Sequence, residues 1–284
     1  MIRSPQRRTR RRLLVLSAGV VPALVAAATF GLAGAATATP ATSDHKPAVT
    51  KRGEAYMGWS TRPSGTARST VTPNLTGSVR GMDVSSWQGN VAWQTAYNNG
   101  ARFAYVKATE GTYYTNSYFT QQYNGSYNVG MIRGSYHFAT PNTTSGATQA
   151  NYFVDHGGGW SKDGKTLPGA LDIEYNPYGA TCYGLSQASM RSWIASFINQ
   201  YHSRTGRWAV IYSTTDWWTQ CTGNYGGFAT NNPLWIARYA SSPGTLPAGW
   251  GYYTIWQYAD SGTFPGDQDT FNGAYDRLQA LANG

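Results

Sequence analysis

From residue 79 onward the chain alternates short apolar runs with longer amphipathic ones. The apolar runs fall at Val79–Val84, Phe103–Ala108, Gly130–Ala139, Leu167–Tyr175, Trp208–Ser213, Leu234–Tyr239 and Tyr253–Tyr258, with a shorter one around Asp267–Phe271. Their length and their Val, Ile, Tyr and Phe content predict strands. Between them lie helical stretches, clearest at Gln187–Arg204 behind the cap residue Ser186. There Met190, Trp193, Ile194, Phe197, Ile198 and Tyr201 recur with helical spacing. Such a stripe packs on a sheet, so its rings belong to the core. Weaker helices are predicted at Val91–Asn99, Asn116–Asn128 and Ser145–Asp155, and Gly206 is a stop signal for the long one. Strands alternating with helices predict an α/β fold with a mainly parallel sheet.

The runs share a second pattern, which is that they end in polar or ring-bearing residues. In order these are Asp83, Lys107 with Glu110, Tyr136 with His137, Asp172 with Glu174, Tyr212, Arg238, Gln257 and Asp269. Parallel strands closed into a (β/α) barrel bring their carboxyl ends to one face, where barrel enzymes build their sites. Polar strand ends are ordinary, but a switch from apolar to charged repeated along the whole chain predicts a barrel enzyme.

Leu167–Tyr175 carries the sharpest chemistry. Strand parity puts Leu171, Ile173 and Tyr175 on one side and Asp172 and Glu174 on the other. Two carboxylates on one buried face raise each other's pKa. Paired carboxyls with separated pKa values are the equipment of glycoside hydrolysis. An isolated Asp-x-Glu at a strand end would be commonplace, so its weight comes from the other strand ends.

Composition narrows the reading. Only 12% of the 284 residues are charged, and 14% are aromatic, a lean toward sugar clefts, where rings stack on sugar faces. The net charge of +9 invites a nucleic-acid reading. Six arginines before residue 13 and an excess of three positive charges over residues 39–79 account for all of it. The remainder is neutral, so no nucleic-acid surface is expected. The Arg-rich start, the apolar run Leu13–Ala36 and the small residues Ala36-Thr37-Ala38 read as a secretory signal peptide over residues 1–38, with an uncleaved anchor as the rival. No later run is long enough to span a membrane. Residues 39–79, rich in Thr, Ser, Pro and Gly, read as a disordered linker or propeptide, leaving 80–284 as the catalytic domain. Cys182 and Cys221 fit one disulfide in an exported protein, with two free thiols as the alternative. No His/Cys cluster has metal-ligand spacing, and neither a metal nor a cofactor is expected.

Taken together, the segments resemble the family 25 glycoside hydrolases, the N-acetylmuramidases called lysozymes. The resemblance rests on Asp83-Val84-Ser85-Ser86-Trp87-Gln88-Gly89, then on Tyr105-Val106-Lys107-Ala108-Thr109-Glu110-Gly111 followed by Tyr114 and Asn116. Gly134-Ser135-Tyr136-His137-Phe138, Asp172-Ile173-Glu174, Trp256-Gln257-Tyr258 and Asp267–Gly273 follow in family order. It implies a modified, TIM-barrel-like fold with fewer than eight helices, and hydrolysis of the β-1,4 bond between N-acetylmuramic acid and N-acetylglucosamine in peptidoglycan. By position it makes Glu174 the proton donor and Asp172 the partner of the substrate acetamido group. Asp83 and Asp269 complete the acids, with Asp267 hard to separate from Asp269. Tyr136 would contact the sugar, and Lys107, Glu110, Tyr212 and Gln257 would line the substrate site. A secreted monomer acting on glycan strands, with retention through acetamido participation, is the expectation. The competing readings are a chitinase-like hydrolase and a wall-binding module that has lost its chemistry.

Overall fold

The computed structural model describes residues 48–61, 73 and 75–284. The expected signal peptide and much of the segment after it lie outside the described residues. Among the described residues there are nine strands: β1 (Val79–Val84), β2 (Phe103–Glu110), β3 (Tyr114–Thr115), β4 (Ile132–Phe138), β5 (Ala170–Asp172), β6 (Val210–Ser213), β7 (Leu234–Ala237), β8 (Ile255–Ala259) and β9 (Asp267–Phe271). The helices are α1 (Trp93–Asn98), α2 (Phe119–Asn128), α3 (Gly146–Phe153), α4 (Gln187–Thr205), α5 (Thr215–Thr222) and α6 (Tyr275–Asn283).

The sheet closes on itself. Its order runs β1-β9-β8-β7-β6-β5-β4-β2, and β1 also pairs with β2, which joins the two edges into a barrel; β3 is a short flap on β2. From β1 through β8 all neighbours in the ring are parallel, while β9 runs antiparallel to both β8 and β1. No helix follows β7 or β8, so the barrel carries fewer helices than the standard eight, as the family resemblance implies.

Side chains fill the barrel, among them Phe103, Tyr105, Tyr136, Val210, Tyr212, Trp235 and Ile255. Glycines make room where two rings cross. A Cβ on Gly81 would stand 2.4 Å from the Phe103 ring, and one on Gly134 would stand 2.4 Å from Tyr105. Outside the barrel, the predicted stripe of α4 is buried without exception and packs with Leu171, Ile173 and α5. Ser186 caps α4 by accepting from Ser189 N at 3.2 Å, and Gly206 ends it at φ 72°.

One expectation needs correction, and one helix has no sequence signal. β5 stops at Asp172 rather than running to Tyr175, because the chain then opens into the barrel mouth; Ile173 N still donates to Tyr212 O at 3.1 Å. The short α5 gives no sequence period, since its buried Trp217 and Trp218 are adjacent; it is fixed by the Thr214 cap and by Gly223 at φ 71°.

Candidate active site

Parity along β5 holds as expected. Leu171 and Ile173 face the helical layer, Ala170 faces the barrel interior, and Asp172 and Glu174 lie wholly buried on the inner side, at the carboxyl-end mouth. Burial, and next the Glu174 charge beside it, push the Asp172 carboxyl well above the ordinary range. Two neighbouring buried carboxyls cannot both ionise cheaply, so the pair holds one proton between them.

Lys107 and Glu110 meet the same mouth by a different device. They are three residues apart, which a regular strand would send to opposite faces. A bulge between Lys107 and Thr109 adds one residue to β2 and turns Glu110 back to the Lys107 side. Their side chains pair at 2.6 Å with no exposure. Burial pulls the Lys107 ammonium downward, and Glu110 opposes that shift. Glu110 also accepts from Tyr113 and Tyr178 hydroxyls at 2.9 and 2.5 Å.

Across the barrel, Gln257 of β8 joins acids from two other strands. Its amide nitrogen donates to Asp83 Oδ2 at 2.7 Å and Asp267 Oδ2 at 3.1 Å. Its oxygen accepts from Tyr212 at 2.8 Å and Tyr239 at 3.1 Å. Because β9 is antiparallel, its first residue lies at the mouth. Asp267 pairs with Asp83 there, and Asp269 pairs one step deeper with Gly81. Asp269 takes Trp235 Nε1–H at 3.0 Å, and burial followed by the Asp83 and Asp267 charges raises its pKa. Tyr136, fully buried, has its hydroxyl held neutral by burial and by Asp83. Asp83, Lys107, Glu110, Tyr136, Asp172, Glu174, Tyr212, Gln257 and Asp267 thus converge on one mouth, with Asp269 beneath them.

Strand-end counting misses Tyr239, Trp235, Tyr113 and Tyr178. Tyr239 ends a predicted run and could have been found by the same rule, whereas the two loop tyrosines carry no local signal. Part of the segment read as a disordered linker or propeptide is ordered against the mouth. Ala55, Tyr56 and Met57 are buried, and Gly58 N–H donates to Glu174 Oε1 at 2.7 Å. The predicted disulfide is present, joining Cys182 after β5 to Cys221 on α5.

A closed barrel whose carboxyl-end mouth holds paired buried carboxyls is a glycosidase by fold and site. Comparison with known proteins makes this specific. A family model described as glycosyl hydrolases family 25 matches residues 82–267. Lysozyme M1 of Streptomyces globisporus is 47% identical over 288 residues, covering 98% of this chain and 96% of its own. The N,O-diacetylmuramidase of a Chalaropsis species is 51% identical over 210 residues, 72% of this chain and 100% of that protein. The solved muramidase of Acremonium alcalophilum is similar at 62% identity and TM-score 0.72, covering 72% of this chain and 99% of its own. A family GH25 lysozyme of Aspergillus fumigatus matches at 51% identity and TM-score 0.72, covering 73% and 100%. The chain belongs to glycosyl hydrolase family 25, and it is a glycoside hydrolase of the lysozyme, or muramidase, kind.

Proposed function

We propose that this chain is exported and hydrolyses the β-1,4 bond between N-acetylmuramic acid and N-acetylglucosamine in peptidoglycan. The observation that carries the reading is the fully buried, neighbouring pair Asp172 and Glu174 at the barrel mouth. Glu174 gives its proton to the departing glycosidic oxygen. The 2-acetamido oxygen of the substrate attacks the anomeric carbon, and Asp172, as carboxylate, holds the acetamido N–H while charge develops. Water then opens the oxazolinium ring and returns a proton to Glu174, so configuration is retained.

Asp83 and Asp267, tied by Gln257, supply negative potential beside the positive charge that develops at the anomeric centre. We assign the fourth acid of the mouth to Asp267, which pairs with Asp83, and give Asp269 the task of positioning Asp83 from below. Tyr136 contacts the sugar through its neutral hydroxyl. Lys107 is the one ammonium fixed in this group of residues and suits a substrate oxygen. The leader over residues 1–38 supports export, and the disulfide fits an oxidising compartment.

Mass spectrometry of the fragments released from peptidoglycan tests the bond assignment. New reducing ends on N-acetylmuramic acid are expected. New reducing ends on N-acetylglucosamine, or faster turnover of chitin than of peptidoglycan, would overturn it.

A further inference from the structure

The barrel mouth already has an occupant, drawn from the chain itself. Gly58 N–H sits on Glu174 Oε1 at 2.7 Å, and Met57 N–H reaches the Tyr136 hydroxyl at 3.4 Å. Lys107 Nζ donates to the carbonyls of Gly53, at 3.2 Å, and Ala55. Gly53 N–H donates to Glu110 Oε1 at 2.8 Å, and Trp59 Nε1–H to Tyr175 O at 2.9 Å. Met57, with no exposed surface, joins the apolar cluster that fills the barrel. Of the five residues contacted, four are ones the sequence names as chemistry or substrate contacts, and the fifth, Tyr175, is the direct neighbour of Glu174.

We propose that residues 50–61 are an autoinhibitory plug, so that the full chain is a zymogen whose cleft opens when an endopeptidase cuts on the C-terminal side of Thr61. This rests on the muramidase reading of the same mouth. Activation breaks one peptide bond and adds one water across it, leaving a carboxyl end on the plug and an amino end on the barrel.

The chemistry of the contacts explains the block. A glycosidic oxygen must stand at Glu174 as an acceptor, and the plug puts a donor there instead. An N–H on a carboxylate favours its charged form, which sends the proton of the pair to Asp172 and disarms the acid. The carbonyls on Lys107 take the place of substrate oxygens. Tethering holds the plug at an effective concentration of mM order.

The plug depends on glycine at two points. Gly53 and Gly58 stand at φ 95° and 77°, where other residues are strained. A Cβ on Gly58 would fall 2.3 Å from the Tyr239 hydroxyl and 2.5 Å from Gln257 Oε1, and one on Gly53 would fall 2.5 Å from the Tyr114 ring. The barrel does not need the plug to fold. Solved relatives cover 72–73% of this chain and 99–100% of their own length, a share the barrel alone accounts for.

The test compares four proteins on a cell-wall suspension: the full chain without its leader, the same chain with Gly58→Val, the same chain with Gly53→Val, and a barrel beginning at Leu75. The full chain should be slower than the barrel by about tenfold or more, the ratio for a plug closed nine times in ten. Gly58→Val, and separately Gly53→Val, should restore most of the rate without any cleavage. A peptide of residues 50–61 should bind the barrel in calorimetry and inhibit it, and its Gly58→Val version should do neither. A full chain as fast as the barrel, or glycine variants that leave it slow, would overturn the plug. A barrel inactive on peptidoglycan would instead sink the muramidase reading, while the calorimetry still decides whether the plug binds.

Discussion

Gln257 is the most informative single side chain to remove, because one amide holds two carboxylates from different strands. Gln257→Leu keeps the volume but deletes both bonds, at 2.7 and 3.1 Å, and strips Tyr212 and Tyr239 of their shared acceptor. A hydrogen bond to a charged group is worth roughly 1.5–3 kcal/mol, so the two together predict a loss of about 3–6 kcal/mol. For a barrel of this size that is a fall of about 10 °C in the unfolding midpoint. Turnover should fall at least about tenfold, since Asp83 and Asp267 lose the brace that fixes their positions. Gln257→Glu should be worse at pH 7, where it adds a carboxylate beside two others, and should recover in part at lower pH as the new carboxyl takes a proton and can donate one bond. Urea unfolding and turnover of a wall suspension, on the barrel alone, read both effects. If Gln257→Leu leaves stability and rate within about twofold of wild type, the acids are not braced through Gln257 and the account of the far wall is wrong.

The remaining predictions concern the supports behind the mouth. His137 is fully buried between Thr109 Oγ1 at 2.7 Å and Gln149 Oε1 at 2.9 Å, and burial lowers its pKa to about 4 from 6.5. The folded state thus refuses a proton that the unfolded chain accepts between those values. Stability falls with the pH through that window, by about 3 kcal/mol at the acid end. Denaturant unfolding at pH 7 and pH 4 should show His137→Gln with a shallower dependence than wild type; equal slopes would refute this. Reduction of Cys182–Cys221, whose sequence separation is 39, should cost about 4 kcal/mol. Paired Cys→Ser unfolding curves check it, and a loss under about 1 kcal/mol would mean that α5 is held by its tryptophans alone.

The barrel could be read from the sequence because its strands repeat one grammar, apolar residues that switch to polar at the mouth. β5 shows why the carboxyl pair was legible: alternation alone separates Leu171 and Ile173 from Asp172 and Glu174. Lys107 and Glu110 were nameable as strand-end residues, but their meeting on one face was not legible, since the bulge that unites them breaks the alternation rule. Asp267 and Asp269 show what strand direction adds. On an antiparallel strand the mouth comes first, and parity places both on one face without saying which is higher. The glycine-dependent contacts of residues 50–61 had no signal of their own. A Thr-, Ser- and Gly-rich stretch has no period, and its order comes from a cleft assembled by residues more than fifty positions away.

The central claim is that Glu174, sharing one proton with Asp172, is the acid that releases the sugar. Turnover of Glu174→Gln on peptidoglycan, measured with the plug removed and folding checked by its unfolding midpoint, tests this most directly. The account predicts a loss of roughly 10²–10⁴-fold in kcat with the midpoint kept. A folded Glu174→Gln barrel within about threefold of wild type would contradict it, because the proton would then have to come from another group.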